Sequence, residues 1–171
     1  MPKKVYNNVE DHKLLDGKNV VEDITQVGLP TIKHPTTTIS AAGMVADIDM
    51  PDVARFEAME YSIAHNNGVN GKLLAVPGKH THEFRIARQV YNAEKGEVEF
   101  KSVKCRMTGI HKESNKGDIE RGNPYGTTDT YSCLRYEELI DNKQVMLIDA
   151  MSGVVKFNTK NYASAVSSLL K

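Results

Sequence analysis

Polar and apolar residues alternate at every second position in run after run of this chain, and the runs stop at clusters of Gly, Pro, Asn or Asp. A side-chain period of two belongs to strands with one buried and one wet face, so the chain is expected to be mainly β. The first such unit reads as a hairpin: Lys13-Leu14-Leu15, a turn at Asp16-Gly17, then Asn19-Val20-Val21. Asp-Gly between alternating runs favours a tight turn, because both residues tolerate positive φ. A loop at Gly28-Leu29-Pro30 precedes Thr36-Thr37-Thr38-Ile39, where β-branching favours strand.

Residues 51–64 fit either a helix capped by Asp49 or a strand, and the alternation favours strand. It slips by one residue between Ala58 and Met59, as a bulge would make it. Asn66-Asn67-Gly68 and Asn70-Gly71 leave room only for a short central helix before Pro77-Gly78. Phe84, Ile86 and Val90 then alternate with Glu83, Arg85 and Gln89, and a turn at Glu94-Lys95-Gly96 leads into a second long strand. There Val98 and Phe100 share a face, and after a second slip Val103, Cys105 and Met107 are expected to share it again. Residues 111–126 are almost devoid of apolar groups and read as one long loop. Strand resumes from Thr127 to about Ile140, and Asp141-Asn142-Lys143 turns it into Gln144–Asp149. A closing helix is expected over 159–170, with Asn158 or Thr159 as cap, Tyr162, Ala165, Val166, Leu169 and Leu170 as one stripe, and Lys171 complementing its dipole.

Composition narrows the function classes. With 22 basic and 22 acidic residues the formal charge is +0, whereas proteins that bind nucleic acid through phosphates carry a basic excess. No apolar run reaches the ~20 residues of a membrane-spanning helix, and Met1–Asn8 lacks the apolar centre of a signal peptide. Synthesis and folding in a cytoplasm are expected, without a membrane anchor. Cys105 and Cys133 have no metal-type spacing and sit among apolar neighbours, so both read as buried free thiols.

Catalytic signatures are scarce. His80 and His82 bracket Thr81 and would point the same way on a strand, but no companion ligand stands at a recognisable spacing, so surface or loop histidines are expected and no metal. Gly68-Val69-Asn70-Gly71-Lys72 is followed by Leu73, where a phosphate loop needs Ser or Thr. No Ser lies in a nucleophile elbow, and Cys133 lies in an alternating strand with no nucleophile signature. Glu137-Glu138 and the Asp47/Asp49 pair read as solvated faces. The expectation is a protein that is not an enzyme and takes no cofactor.

Several fragments together point to a family. Leu29-Pro30 is followed by Ala41-Ala42-Gly43-Met44 and Asp47-Ile48-Asp49-Met50; later come Gly117-Asp118, the strand around Tyr131, and Ile148-Asp149 before Gly153-Val154. In order and spacing, over roughly residues 25–157, this resembles the major tail tube protein of contractile-tailed phages and R-type bacteriocins. The segment from Met1 to about Asp23 departs from that pattern, as do the glycine-broken stretch near Gly68–Ala75 and Ser152 in place of Asn.

The resemblance implies a single antiparallel β-sandwich or barrel-like tail tube domain with a short central helix and a C-terminal helix. It further implies a hexameric ring whose strands form one continuous β-barrel, with rings stacked into a hollow tube. Four strands from each of six copies, ~4.8 Å apart and tilted ~40°, give a backbone diameter of roughly 48 Å. The partners implied are further copies of the chain, a tail sheath protein, baseplate and tail terminator proteins, and DNA passing through the lumen without specific binding. The location implied is a virion tail or bacteriocin particle. The lumen wall is expected from 36–48, 55–64, 97–110 and 127–139, with Arg55, Glu57, Glu60, Glu97, Glu99, Lys104 and Arg106 facing inward. The N-terminal arm (1–24) and the loop 111–126, with Lys112, Glu113, Lys116, Asp118, Glu120 and Arg121, are expected to make ring-to-ring contacts. Two other readings remain: a type VI secretion tube protein, and a small-molecule-binding β-barrel. The latter would need an aromatic-lined pocket, for which four Phe and seven Tyr are a thin supply.

Overall fold

The computed structural model describes residues 4–66, 71–158 and 160–168. Twelve strands and two short helices follow one another as β1 (Lys4–Asp16), β2 (Asn19–Val21), β3 (Ile24–Gly28), β4 (Thr36–Ile39), β5 (Ile48–Pro51), β6 (Met59–His65), α1 (Gly71–Leu74), β7 (Lys79–Asn92), β8 (Glu97–Asn115), β9 (Thr127–Ile140), β10 (Lys143–Asp149), β11 (Val154–Phe157), β12 (Lys160–Asn161) and α2 (Tyr162–Ser168). The protein is mainly β and antiparallel, as the alternation requires.

Ten strands make one sheet, in the order β12-β11-β10-β9-β8-β7-β1-β2. One edge of β9 pairs with β8. Its other edge is divided between β6, along Thr127–Cys133, and β10, along Arg135–Ile140. β3 then pairs with β6. The sheet curls round a single apolar core, since Leu14 and Val21 from one end pack with Met59, Tyr61 and Ile63 from the other. Curling lets residues meet that share no strand pairing: the Tyr61 hydroxyl on β6 lies 2.9 Å from His82 Nδ1 on β7. Leu74 of α1 is fully buried, and its carbonyl accepts a hydrogen bond from the Tyr131 hydroxyl at 2.7 Å.

The expected turns are present. Asp16 pairs with Asn19 and Gly17 has φ 60°. Asp141 and Asn142 both have positive φ, as a two-residue turn between right-twisted strands demands. Gly96, at φ 68°, closes β7 into β8.

Other expectations are corrected. Residues 52–58 are a loop, not strand; the apparent slip at Ala58/Met59 is simply where β6 begins. β7 and β8 pair without interruption from Lys79↔Ile110 to Asn92↔Glu97, so no bulge separates Phe100 from Val103. Val98 and Phe100 therefore lie on the face opposite Cys105 and Met107, and are exposed. β8 continues to Asn115, which shortens the expected loop to residues 116–126. At the C-terminus, Lys160–Asn161 is strand and the helix starts at Tyr162. Asn161 caps it instead of Asn158 or Thr159: its side-chain oxygen accepts from the amides of Ala163 (3.2 Å) and Ser164 (3.4 Å). Thr159, Leu169, Leu170 and Lys171 of the expected helix lie outside the described residues, as do Met1–Lys3 of the arm.

Candidate functional site

Three surfaces and one buried cluster stand out. The first surface is the β4–β5 hairpin, a two-stranded sheet paired to no other strand among the described residues. Every residue of both strands is exposed, including Ile39, Ile48 and Met50, and so are Met44 and Val45 in the connecting turn. Its root is held firmly. His34 Nδ1 lies 3.0 and 2.9 Å from the carbonyls of Asp52 and Arg55, and the Glu57 amide donates to the Lys33 carbonyl at 2.8 Å. His34 also packs on Phe56, which reaches Phe157. The hairpin is therefore a fixed projection with an apolar tip. Two of the fragments behind the family resemblance lie in this hairpin, Ala41–Met44 in its connecting segment and Asp47–Met50 running into β5.

The second surface is the far end of β1, β7 and β8. Val5 pairs with Tyr91 and Tyr91 with Val98, so these three stand in a row across adjacent strands with Phe100 beside them. All four are exposed on the side of the sheet away from the core. The third is the segment 116–126, which carries exposed Lys116, Asp118, Glu120 and Arg121. Within it Glu120 accepts a hydrogen bond from Asn123.

The charged residues singled out from the sequence separate into several places. Arg55 and Glu57 lie in the loop at the root of the β4–β5 hairpin, where Glu57 pairs with Lys33 at 3.0 Å. Glu60 is exposed on β6 and pairs with Lys112 of β8, joining one expected lumen residue to one expected stacking residue. Glu97 and Glu99 are on the opposite face of β8 from Lys104 and Arg106, because β8 pairs with β7 without a slip from Glu97 through Arg106. Glu99 is engaged by Lys4 (3.3 Å) and Asn92 (2.9 Å). Arg106 lies between Glu83 (2.8 Å) and Glu137 (3.6 Å). Burial would raise the Glu83 carboxyl, yet Arg106 and Arg85 together hold it below the usual range. Lys104 donates to Asn142, and Glu113 stands on β8 opposite Thr130.

The buried cluster was not foreseen. His80, His82 and His111 pack against the stacked rings of Tyr61 and Tyr131, whose centroids are 4.8 Å apart, and His65 joins the cluster through Asp129. His80 and His82 are buried, not surface or loop residues: they sit on the inward face of β7. Asp129, fully buried, accepts from His65 Nε2 at 2.9 Å and from the Ser114 hydroxyl, with His111 Nε2 at 3.4 Å. Burial alone would raise its pKa, but the bonds from Ser114, His65 and His111 outweigh that and hold the carboxyl below its ordinary value. Beyond Tyr61 the layer ends at Asp16, which directly faces His82 across β1 and β7. Burial, assisted by neighbouring His80, pushes the His82 pKa down to about 3, so its ring is neutral.

The expected buried thiols are found. Burial raises Cys105 to about 11 and Cys133 to about 12, which keeps both as unreactive thiols. No helix among the described residues is long and apolar enough to cross a membrane.

A family model described as phage tail tube protein FII matches residues 12–170, nearly the whole chain. No curated protein matches it.

Proposed function

The chain belongs to the phage tail tube protein FII family, a structural family, and from that premise we propose that it forms hexameric rings stacked into the inner tube of a contractile tail. The tube lies within a sheath and serves as a DNA conduit or, in a bacteriocin particle, as a puncturing needle.

One observation supports this reading above the rest: the β4–β5 hairpin. An isolated two-stranded ribbon is marginal in water, yet here it projects from a clamped root with Ile39, Met44, Val45, Ile48 and Met50 uncovered. In a family that assembles into tubes, the natural cover is the next copy of the same chain. Heterologous contact of this kind, an arm of one copy on a different surface of the next, generates rings when the rotation closes. The exposed row Val5, Tyr91, Val98 and Phe100 offers a second apolar surface for such a contact. The polar segment 116–126 serves stacking between rings.

On this proposal the uninterrupted register of β7 and β8 limits which of the candidate residues can share the lumen face. Lys104 and Arg106 share one face of β8 and Glu97 and Glu99 the other, so only one of these pairs lines the lumen. Size-exclusion chromatography and negative-stain electron microscopy of the purified full chain test the proposal. Rings and tubes are expected from the wild type, and Met50→Glu should leave a folded subunit that forms neither. A wild-type chain that stays a small monomer at all concentrations would refute the reading.

A further inference from the structure

The end of the buried layer at Asp16 is not explained by packing. Asp16 is the last residue of β1, directly opposite His82 on β7, and His80 lies two residues away on the same face. The ligand-capable atoms of the three residues lie within 4.8 Å of one another. His80 Nδ1 is 3.7 Å from Asp16 Oδ2, and His82 Nε2 is 3.9 Å from Asp16 Oδ1. These separations are too long for hydrogen bonds. They are only a few tenths of an ångström beyond the ~3.3 Å between neighbouring ligands of a tetrahedral ion with bonds of about 2.0–2.1 Å.

The outer hydrogen bonds orient the rings. His80 Nε2 is 2.7 Å from the Val76 carbonyl, which can only accept, so the proton is on Nε2 and the Nδ1 lone pair faces Asp16. His82 Nδ1 is 2.9 Å from the Tyr61 hydroxyl. When Nδ1–H donates to that oxygen, the Nε2 lone pair also faces Asp16. His82 Nε2 is fully buried and has no hydrogen-bond partner among the described residues, a costly arrangement for a polar atom. A direct pairing of His82 with Asp16 does not resolve it, because Nε2 stands 3.9 Å from Asp16 Oδ1, too far for a hydrogen bond. A cation does. Histidine ligands whose second nitrogen is anchored by a carbonyl or hydroxyl are the usual construction of such centres.

We propose that Asp16, His80 and His82 form a three-ligand site for a divalent transition cation of the zinc class, with a fourth position on the Asp16 side open to water. The ion pins the turn end of β1 to β7 and thereby fixes the start of the chain against the longest hairpin of the sheet. Two imidazoles and one carboxylate select a borderline metal over magnesium or calcium, which prefer all-oxygen sites. The site lies within one chain and does not depend on assembly.

The test uses the full chain, stripped with chelator and titrated at neutral pH with zinc chloride by calorimetry. Parallel titrations use cobalt(II) chloride, read by its visible bands. One equivalent per chain and a chelator-reversible rise in melting temperature are expected. Tyr61→Phe keeps the ring but removes the oxygen that orients His82, and should weaken binding about 10–100-fold. His82→Gln should abolish binding, while His12→Gln, which alters an imidazole outside the cluster, should bind as the wild type does. Absence of uptake and of any melting shift in the wild type overturns the proposal, as does affinity unchanged by Tyr61→Phe. If His82→Gln fails to fold, the wild-type melting shift and the Tyr61→Phe affinity decide alone.

Discussion

Ser114 and Asp129 are direct cross-strand partners on β8 and β9, and the Ser114 hydroxyl donates to the Asp129 carboxylate in the interior of the sheet. They can meet because the register of β8 on β9 shifts between His111 and Glu113. That shift moves even-numbered Ser114 onto the same face as odd-numbered His111. Both then reach one carboxylate, which His65 approaches from β6 on the other side.

Acid should therefore loosen this fold through Asp129. A carboxyl held below its unfolded value contributes stability above that value, ~3.9, and loses it as pH falls through the folded one. Chemical denaturation measured from pH 6 to 2 should show stability falling below about pH 4. Asp129→Asn should cost about 1–3 kcal/mol at neutral pH, since a bonded buried charge is replaced by a mismatched amide. It should also flatten the acid limb; an acid limb as steep as in the wild type would assign the sensitivity elsewhere.

Gly109 lies directly across from Cys133, and a Cβ placed there would sit 2.7 Å from both the Tyr61 ring and the Ser132 carbonyl oxygen. The constraint is close approach of an aromatic ring and not a special φ. Gly109→Ala should destabilise by about 1–3 kcal/mol by overpacking. Gly122→Ala, which meets nothing nearby but has φ 93°, should cost through backbone strain alone. Urea melts of the two variants would compare the mechanisms.

Neither cysteine should react in the folded subunit. Burial raises both thiols far above neutral pH, and the thiolate is the nucleophile. A thiol-specific reagent should label none at pH 8 in buffer and two per chain in denaturant. Rapid labelling of the native chain would show that the sheet opens near β8 or β9.

Deleting 117–124 should leave a folded subunit that no longer stacks, because these residues belong to the exposed connection between β8 and β9. Deleting 113–122 is a different experiment, since it removes Ser114 from Asp129 and ends β8 early. Circular dichroism with electron microscopy should show the first deletion folded without tubes, and the second destabilised.

Local chemistry was enough to place the hairpins. Asp16-Gly17, Glu94-Lys95-Gly96 and Asp141-Asn142 each permit positive φ where a strand must reverse, and each turn is found there. The all-antiparallel class, the short central helix and the buried thiols were legible for the same reason: neighbours in sequence carry the signal. The fragments Ala41–Met44 and Asp47–Met50 also pointed to the family, though not that they belong to one separate hairpin.

Side-chain facing and the histidine layer were not legible. A change of parity between Phe100 and Val103 is produced equally by a bulge and by apolar residues turned outward, and only the pairing of β8 with β7 distinguishes them. The His80/His82 pair was visible as a spacing, but Asp16, His65, His111 and Asp129 stand far from it and from one another along the chain, so no spacing announces the cluster. Period-two sequence by itself determined that this protein is built of strands and where they turn. Which strands lie beside one another, and so which polar groups are enclosed together, was decided by the curl of the sheet round its core, because burial is a property of non-local packing.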